Sequence, residues 1–478
     1  MASIRTSVLS ETEIQAIHGT SLGVLRDTGV VVRHPDVLNL LAEGGAVVDR
    51  EHEIANLPER LVMDCIARAG KRYVLYGRDP ARTARFGCGE LNLVSSPGQF
   101  GWIDSATGRL RSATLQDARQ AIALGDALPN ITIVGSLAQP KEISERYREV
   151  ALTAELVRGS TKPTRTWVYN GRTARYVLEI YRAVAGGSDA LRQRPLAEAF
   201  LEPISPLQLP HDGLAVVIEF VRAGQPVSIG PMAMTCGTAP GTLAGTLAQE
   251  NAEILAGVVV TQLLEPGTPI LYGGIPHIMD PRTSICSFGS PEQALMAVAM
   301  TQMGHFYGLP VYINVGLTDA KLLDVQAGVE KAASLVLGAL AGADLFGHAG
   351  ICGTDHGASL EWLVADDELM AYVKRIVRGF SVDADRLAAD VVQSVGPCGS
   401  FLTEDHTVRH FRQELWIPHP LWTRDAWAVW EDKGRRTMGD RMRDRVRELL
   451  AAHHVEPLEE GLSGELDRIV ATAERELA

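Results

Sequence analysis

Paired cysteines, a basic charge balance and long apolar runs are all missing from this 478-residue sequence. None of its six cysteines belongs to a CxxC pair, which favours free thiols in a reducing compartment. The net charge of −13 argues against nucleic acid or an anionic membrane surface as the main partner. The first residues lack the apolar core of a secretory signal, and no apolar run approaches the ~18–20 residues that cross a bilayer. We therefore expect a cytoplasmic protein that binds neither nucleic acid nor membrane.

Several common catalytic motifs are absent as well. HExxH and His-x-His, two spacings that ligate metals, do not occur in the sequence. The GxSxG of serine hydrolases and the GxGxxG of dinucleotide-binding folds do not occur either. Asp355-His356 and Asp405-His406 are adjacent pairs, and neighbours in sequence rarely make one metal site alone. We expect no metal bound by the chain.

The sequence does contain a regular alternation of apolar strand-like runs and Ala-rich helical runs. Each strand-like run ends in Gly, Pro, Asp, Asn or His, which is typical of a (β/α) barrel with its chemistry at the strand ends. Seven barrel strands are predicted at 131–139, 164–170, 199–205, 226–234, 269–274, 310–316 and 343–350, and an eighth within 390–403.

The N-terminal part has a different pattern, in which helices are followed by short strands between Arg72 and Thr114. Helix starts are predicted at Ser10, with Glu13 three residues later, and at Ser290-Pro291. We expect an α/β protein built on a TIM-type (β/α)8 barrel at 121–415. An N-terminal helical region with a small β-layer would occupy 1–120, and a C-terminal helical segment 416–478.

Five pieces of the sequence point to a family. Two of them lie in the first third of the chain: LGVLRDTGVVVRHPDVLNLLAEGGAVVD (22–49) and IDSATGRLRSATLQDARQAIALGDALPNI (103–131). The other three follow in the second half: FGSPE (288–292), LTD (317–319) and DVQAG (324–328). In this order and spacing they resemble the trimethylamine methyltransferase (MttB-type) superfamily. The resemblance implies an enzyme that moves a methyl group from an amine to the cobalt of cobalamin. The cobalamin would be carried by a separate, cognate corrinoid protein, and none would be bound by the chain itself.

The resemblance also bears on the substrate. The trimethylamine enzymes of the family use pyrrolysine, whose place is similar to the ICGTDHG segment (351–357), at Thr354. The present chain contains only the twenty standard residues. A quaternary ammonium already carries its positive charge and leaves as a neutral tertiary amine. The resemblance to non-pyrrolysine members therefore implies a small quaternary amine such as glycine betaine.

A quaternary ammonium donates no N–H hydrogen bond, and aromatic faces and nearby acidic groups hold it instead. The aromatic candidates at strand ends or in adjoining loops are Trp167, Tyr169, Tyr272, Phe288 and Phe346, and Trp102 is a further candidate that reaches in from the β-layer. Packing in the core or barrel wall explains each of them equally well. Glu202 interrupts the apolar run AFLEPIS, where a lone carboxylate is expensive unless it is paired or solvated at a barrel mouth.

The carboxylate of a betaine needs hydrogen-bond donors. His277, Arg282, His348 and His356 follow strands and are candidates, with a structural hydrogen-bonding role as the alternative. Asp280 and Arg282 are two residues apart, so a salt bridge that ties down the loop explains them too. Asp319 either orients the ligand or a histidine, or caps the next helix.

The sequence leaves three functions open. The first is a corrinoid-dependent methyltransferase acting on a quaternary amine. The second is a barrel enzyme of the same ancestry, a lyase or hydrolase that uses His348 or His356 as a base without any corrinoid. The third is a non-catalytic binder of betaines. Because large barrels often assemble and the C-terminal helices are available for contacts, we also expect a homo-oligomer.

Overall fold

The computed structural model describes residues 4–104 and 107–477. Its N-terminal region combines short strands with three amphipathic helices. In chain order these elements are α1 (Glu11–Asp27), β1 (Val30–Val32), α2 (Pro35–Glu43), β2 (Val47–Asp49), β3 (Ile54–Asn56), α3 (Glu59–Arg68), β4 (Tyr73–Tyr76) and β5 (Thr83–Phe86). Ser10 and Glu13 form the predicted capping box at the start of α1.

The central region alternates parallel strands with helices. Its first half comprises β6 (Asn92–Ser95), β7 (Gly101–Ile103), β8 (Leu110–Ser112), α4 (Leu115–Ala127), β9 (Ile131–Gly135), α5 (Arg148–Gly159), β10 (Thr164–Arg165), α6 (Gly171–Ala185), α7 (Ser188–Gln193), β11 (Ala199–Leu201), β12 (Gln208–Leu209) and α8 (His211–Arg222). Its second half comprises β13 (Val227–Ile229), β14 (Met234–Thr235), α9 (Leu243–Leu264), β15 (Ile270–Gly274), β16 (His277–Met279), β17 (Cys286–Ser287), α10 (Pro291–Phe306), β18 (Val311–Asn314), α11 (Val325–Ala341), β19 (Leu345–Ala349), β20 (Ile351–Cys352), β21 (Gly357–Ala358) and α12 (Leu360–Arg378).

The C-terminal region is helical and begins within the range 121–415 that the sequence assigns to the barrel. It comprises α13 (Ala384–Leu387), α14 (Ala389–Val395), α15 (Asp405–Glu414), α16 (Trp427–Asp432), α17 (Met438–Ala452) and α18 (Glu460–Leu477). Helix α17 packs on α12 and α4, and α18 packs on α5 and α6, so the chain end lies against the outside of the central region. Among residues 4–104 and 107–477, no helix combines the length and apolar character that crossing a membrane requires.

Eight parallel strands form one sheet in the order β10-β9-β6-β19-β18-β15-β13-β11. Numbered along the chain, this order is 3-2-1-8-7-6-5-4, and a helix follows each strand. That is the connectivity of a TIM-type barrel, whose strands are in sequential order around the axis. The predicted fold class is confirmed.

Seven barrel strands lie where the sequence predicts them, but the eighth does not. The predicted segment 390–403 contains helix α14 and a turn, and the missing strand is β6, which the sequence analysis assigned to the N-terminal β-layer. Strand β6 pairs with both β9 and β19. A short apolar run such as LNLV has the same pattern in a side layer as in a barrel, so periodicity alone does not separate the two.

A hairpin closes the amino-terminal end of the barrel. Strands β4 and β5 pair with each other, and their Tyr73, Leu75, Ala84 and Phe86 side chains join one buried cluster with Val94, Ile133, Leu271, Tyr312 and Leu345 of the barrel strands. The rings of Tyr73 and Phe86 stack at 4.4 Å within this cluster. Because the hairpin fills this end, the carboxyl ends of the strands are the open face.

Candidate functional site

Two side chains meet inside the barrel near its open face. The Tyr312 hydroxyl of β18 donates to Asn314 Oδ1 at 2.5 Å and lies 2.7 Å from His348 Nε2 of β19. The hydroxyl has one proton and gives it to Asn314, so His348 Nε2–H is the donor in the second bond. Gly347 makes room for the ring, because a Cβ there would lie 2.9 Å from Tyr312 Cε2. This network fixes the tautomer of His348 and leaves Nδ1 with a lone pair.

His348 is neutral at ordinary pH. Burial lowers its pKa to about 3, and the nearby Arg165 charge lowers it further. Its Nδ1 has no hydrogen-bond partner in the described part of the chain, and its ring lies 5.6 Å from that of half-buried Trp167. The histidine therefore presents an uncharged ring beside an indole.

A buried cation lies next to this network. Arg165 of β10 is 5% exposed, and its guanidinium lies 5.2 Å from the rings of both Phe200 and Tyr312. Its Nη2 lies 3.6 Å from Glu198, which accepts a 2.5 Å hydrogen bond from the Tyr73 hydroxyl of the closing hairpin. The charge of Arg165 is thus balanced by a carboxylate on its far side.

The same residues span a seam in the barrel. In the described residues no backbone pairing joins β10 to β11, the two ends of the sheet order. Instead, Arg165 contacts Glu198 across the gap, and Trp167 contacts Phe200 at a ring separation of 5.5 Å. Side chains rather than backbone hydrogen bonds hold this side of the mouth.

Two carboxylates lie at the mouth itself. Glu202 follows β11, Asp355 lies between β20 and β21, and water reaches both. Burial among protein atoms nevertheless raises the pKa of Glu202, and it raises the pKa of Asp355 to about 6, with a further rise from the charge of Glu202. Both side chains are thus packed against protein atoms on one side and open to water on the other, and we call the space that they border at the mouth the recess. Asp355 accepts a 2.5 Å hydrogen bond from Gln99 after β6.

Tyr169 lies in the same recess. It follows β10 and is 53% exposed, yet burial raises the pKa of its hydroxyl to about 12. The negative charges of Glu149, Glu202 and Asp355 add to that rise. The hydroxyl of Tyr169 is therefore within electrostatic range of both carboxylates.

A loop network supports this side of the mouth. Asp319 accepts hydrogen bonds from Ser287 Oγ at 2.5 Å, from the Phe288 amide at 2.8 Å and from Thr354 Oγ1 at 2.9 Å. It thus orients the loop that carries Thr354, the position predicted to correspond to pyrrolysine. The alternative of a helix cap is wrong for Asp319, because Asp324 caps α11.

Two predicted ligand residues lie away from the mouth. Tyr272 and Phe346 are fully buried on the outer surface of the barrel wall, where Tyr272 donates to Asn251 of α9 at 2.7 Å. Both face the surrounding helices because alternate residues of a strand point to opposite sides. The prediction that they line the site is wrong in this structure.

The remaining candidates hold loops together or lie at the surface. His277 is fully buried against Phe288, Nδ1–H donates to the Ile275 carbonyl at 2.7 Å, and burial lowers its pKa to about 4. Asp280 and Arg282 form a 3.0 Å salt bridge within one exposed turn. His356 is exposed in the same turn as Asp355.

The barrel brings together several residues that the sequence does not single out as ligand candidates, namely Gln99, Arg165, Phe200, Tyr312, Asn314 and Asp355. Arg165 had a usable signal, because a charged residue inside the strand-like run TRTWVYN is as unusual as Glu202 in AFLEPIS. Tyr312 had no such signal, because an aromatic residue in the apolar run PVYINVG is typical of core packing.

Exposed apolar side chains surround the open face. We define the apolar rim as Phe100, Tyr169, Ile204, Ile285, Leu322 and Leu323, all exposed and all on loops that follow barrel strands. Such a patch on a protein surface typically marks an interaction site. The apolar rim lies partly on the loops that also carry Gln99 and Glu202.

Known proteins match this chain along its whole length. A family model described as trimethylamine methyltransferase (MTTB) matches residues 2–478. The chain belongs to the trimethylamine methyltransferase family. Within that family it is 33% identical, over 467 residues, to trimethylamine methyltransferase MttB of Desulfitobacterium hafniense (strain DSM 10664 / DCB-2), covering 98% of this chain and 94% of the relative. It is 30% identical to the glycine betaine methyltransferase of strain Y51 over 474 residues, 98% of each chain.

A solved structure supports the fold. The monomethylamine methyltransferase MtmB of Methanosarcina barkeri matches with a TM-score of 0.51 at 12% identity, over 93% of both chains. The expected family is confirmed, and membership in the trimethylamine methyltransferase family makes the chain an enzyme of the methyltransferase type.

Proposed function

We propose that this chain transfers a methyl group from a small quaternary amine, of the glycine betaine type, to Co(I) of a cognate corrinoid protein. The observation that carries the proposal is the pair of unneutralised carboxylates, Glu202 and Asp355, in a recess that also contains Tyr169 and Trp167. Neither carboxylate makes an ion pair with a cationic side chain in residues 4–104 or 107–477. A permanently cationic ligand supplies the missing positive charge.

The chemistry of the recess suits a nitrogen that has no proton. Carboxylates without a cationic partner attract a quaternary ammonium electrostatically, and the faces of Trp167 and Tyr169 add cation–π attraction of about 0.5–2 kcal/mol. His348 is neutral, so it neither repels the cation nor competes for the carboxylates. The raised pKa values moderate the negative charge, which matters because the ligand loses its charge during transfer.

The charges of the site are arranged in the direction that a zwitterion requires. Glu202 and Asp355 lie at the mouth, and the buried Arg165 cation lies deeper in the barrel. The Nη1 and Nη2 atoms of Arg165 have no hydrogen-bond partner among the described residues. A betaine has a cation at one end and a carboxylate at the other, so it matches this arrangement better than a simple methylated amine does. The 30% identity to a glycine betaine methyltransferase adds support.

The reaction needs no acid from the protein. The electron pair of Co(I) forms the new bond to the methyl carbon, the carbon–nitrogen bond breaks, and its electrons stay on nitrogen as a neutral tertiary amine. The corrinoid carried by the partner supplies this nucleophile. The contribution of the chain is to hold the cation, align one methyl group with the opening and exclude water. The apolar rim would contact the partner around that opening.

The decisive experiment mixes the purified chain with glycine betaine and the Co(I) form of a corrinoid protein, and follows corrinoid methylation by absorbance. We expect methylation together with one equivalent of dimethylglycine. Trimethylamine in place of glycine betaine is the matched substrate control and should give no reaction.

The binding role of the carboxylate is tested with Glu202→Gln, which keeps the shape and removes the charge. We expect a raised KM for glycine betaine with the corrinoid dependence unchanged. Turnover without any corrinoid would favour the lyase or hydrolase alternative. Betaine binding without loss of methyl groups, with several quaternary amines tried, would favour the non-catalytic binder.

A further inference from the structure

A cluster of metal-ligand side chains lies far along the chain from the barrel mouth. Asp385 is on α13, and His406 and His410 are one turn apart on α15. One carboxylate oxygen and one nitrogen of each ring all lie within 4.8 Å of one another. The ring centroids of His406 and His410 are 4.4 Å apart. Two imidazoles at i and i+4 face the same side of a helix, which is a common arrangement for transition-metal ligands.

The contacts within the cluster have the geometry of ligands that share an ion. His410 Nε2 lies 3.0 Å from Asp385 Oδ2, yet neither nitrogen of His410 has a hydrogen-bond partner among the described residues. The two atoms are thus close without an aligned N–H···O bond. In a tetrahedral zinc site, with ligand bonds of about 2.0–2.1 Å, neighbouring ligand atoms are roughly 3.3 Å apart and point at the metal.

The third residue has an orienting partner of the expected kind. His406 Nε2 lies 2.9 Å from the backbone carbonyl of Asp385, and only a nitrogen that bears a proton donates to a carbonyl. This bond leaves Nδ1 as the basic nitrogen of His406. Histidine ligands usually donate their other N–H to a carbonyl or carboxylate in this way, which fixes the ring for the metal.

The surrounding segment has little other means of holding its shape. Helices α13, α14 and α15 contain no buried residue, and apolar side chains such as Leu387, Val392 and Val408 are exposed on them. Helices this short are marginal without tertiary packing. Polar contacts such as the Arg386–Glu414 ion pair join α13 to α15, and a bound ion would add to them, because metal binding contributes directly to folding free energy.

We propose that Asp385, His406 and His410 bind a divalent transition-metal ion, Zn²⁺ or an ion with similar ligand preference, that fastens α13 to α15. Two imidazole nitrogens and one carboxylate oxygen make a three-ligand set, and water completes the coordination. Competing interactions are weak, since Arg409 is 3.9 Å from Asp385 and Arg386 pairs with Asp383 and Glu414 instead. The site does not depend on the proposed methyl transfer.

Metal binding is tested on the untagged full-length chain after dialysis against a chelator. Titration with Co²⁺ should give visible ligand-field bands that saturate at one equivalent, and Zn²⁺ should displace them. Zn²⁺ should also raise the Tm of the wild-type chain. The double variant H406Q/H410Q should lose both effects, and Asp385→Asn should weaken Co²⁺ binding at least tenfold. His454→Gln, which replaces an exposed histidine on a distant segment, should leave both effects intact.

Two results would overturn the proposal. Wild-type chain that binds less than a tenth of an equivalent of Co²⁺ at micromolar concentration would make the cluster an ion pair only. Equal binding by wild type and by both Asp385→Asn and H406Q/H410Q, each with wild-type circular dichroism, would place the metal elsewhere.

Discussion

His348 Nε2 donates to the Tyr312 hydroxyl across 2.7 Å, and this bond joins the last two strands of the barrel, β18 and β19, inside the candidate site. The same hydroxyl donates to Asn314, so one phenol oxygen determines the positions of two polar groups. All three residues are buried. The orientation of the neutral imidazole towards the recess therefore depends on a side chain that does not line the mouth.

Replacement of Tyr312 by Phe should destabilise the protein and reduce methyl transfer. His348 Nε2–H and Asn314 Oδ1 would both lose a partner in a buried place, which costs about 1–3 kcal/mol. The shift of the denaturant midpoint measures this loss. Tyr372→Phe is the control, because Tyr372 is partly exposed and its hydroxyl has no hydrogen-bond partner in the described residues. Equal stability of the Tyr312 variant and the control would argue against the network.

Replacement of Trp167 by Leu should weaken binding of a quaternary ammonium, with Leu keeping an apolar contact to Phe200 at the seam. The half-buried indole is the aromatic face beside His348, and its loss removes about 1–2 kcal/mol, or roughly five- to thirty-fold in Kd. Calorimetric titration with glycine betaine measures the change. Trp427→Leu, at a residue that is exposed on α16, should bind normally. An unchanged Kd for Trp167→Leu would exclude a cation–π role.

Affinity for glycine betaine should rise with pH through about 6. Burial, then the charge of Glu202, raises the pKa of Asp355 to about 6, so the group is protonated below that pH and negative above it. The cation prefers the negative form, and full dependence on it gives about a tenfold loss of affinity from pH 7 to pH 5. Binding isotherms across this range measure the effect.

The same titration in Asp355→Asn should be nearly flat and weaker at pH 7. Asp189→Asn, an exposed position on α7, should keep the wild-type profile. The raised pKa of Asp355 also makes the stability of the free protein depend on pH. A carboxyl whose folded pKa lies above its unfolded value of about 3.8 makes the free protein less stable as pH rises from 4 to 6. A bound cation should offset that loss. Affinity that falls with increasing pH would contradict the assignment.

A charge placed in the apolar rim should impair use of the corrinoid protein without affecting the amine. Leu322→Asp introduces a carboxylate at an exposed position after β18, and we expect the KM for the partner to rise at least tenfold. The Kd for glycine betaine should stay the same. Val47→Asp is the control, because it places the same charge on an equally exposed residue of β2 in the N-terminal region. A normal KM for Leu322→Asp would remove the rim from the docking surface.

Much of the architecture was predictable because short stretches of sequence are enough to indicate where its strands and helices lie. The strands at 131–139 and 310–316 were found from apolar runs that end in Gly or Asn, and the start of α10 from Ser290 and Pro291. Glu202 was found because a carboxylate in an apolar run is expensive unless it reaches solvent. Each of these signals lies within a few residues of sequence.

The place of β6 was not predictable in this way. LNLV is strand-like, but whether it joins the hairpin β4–β5 or lies between β9 and β19 depends on partners 39 and 252 residues away. The contact between His406 and Asp385 was not predictable either. The motif HTVRH predicts that its two histidines share one face of a helix, but it does not predict which residue lies opposite that face.

By itself the sequence determined seven of the eight barrel strands, the barrel class and the family. Tertiary structure alone decided which side of each strand faces the ligand. Tyr272 and Phe346 face the outer helices, whereas Arg165, Tyr312 and His348 face the interior. The physical reason is that parallel barrel strands are buried on both faces, so both faces are apolar and alternation no longer distinguishes inside from outside.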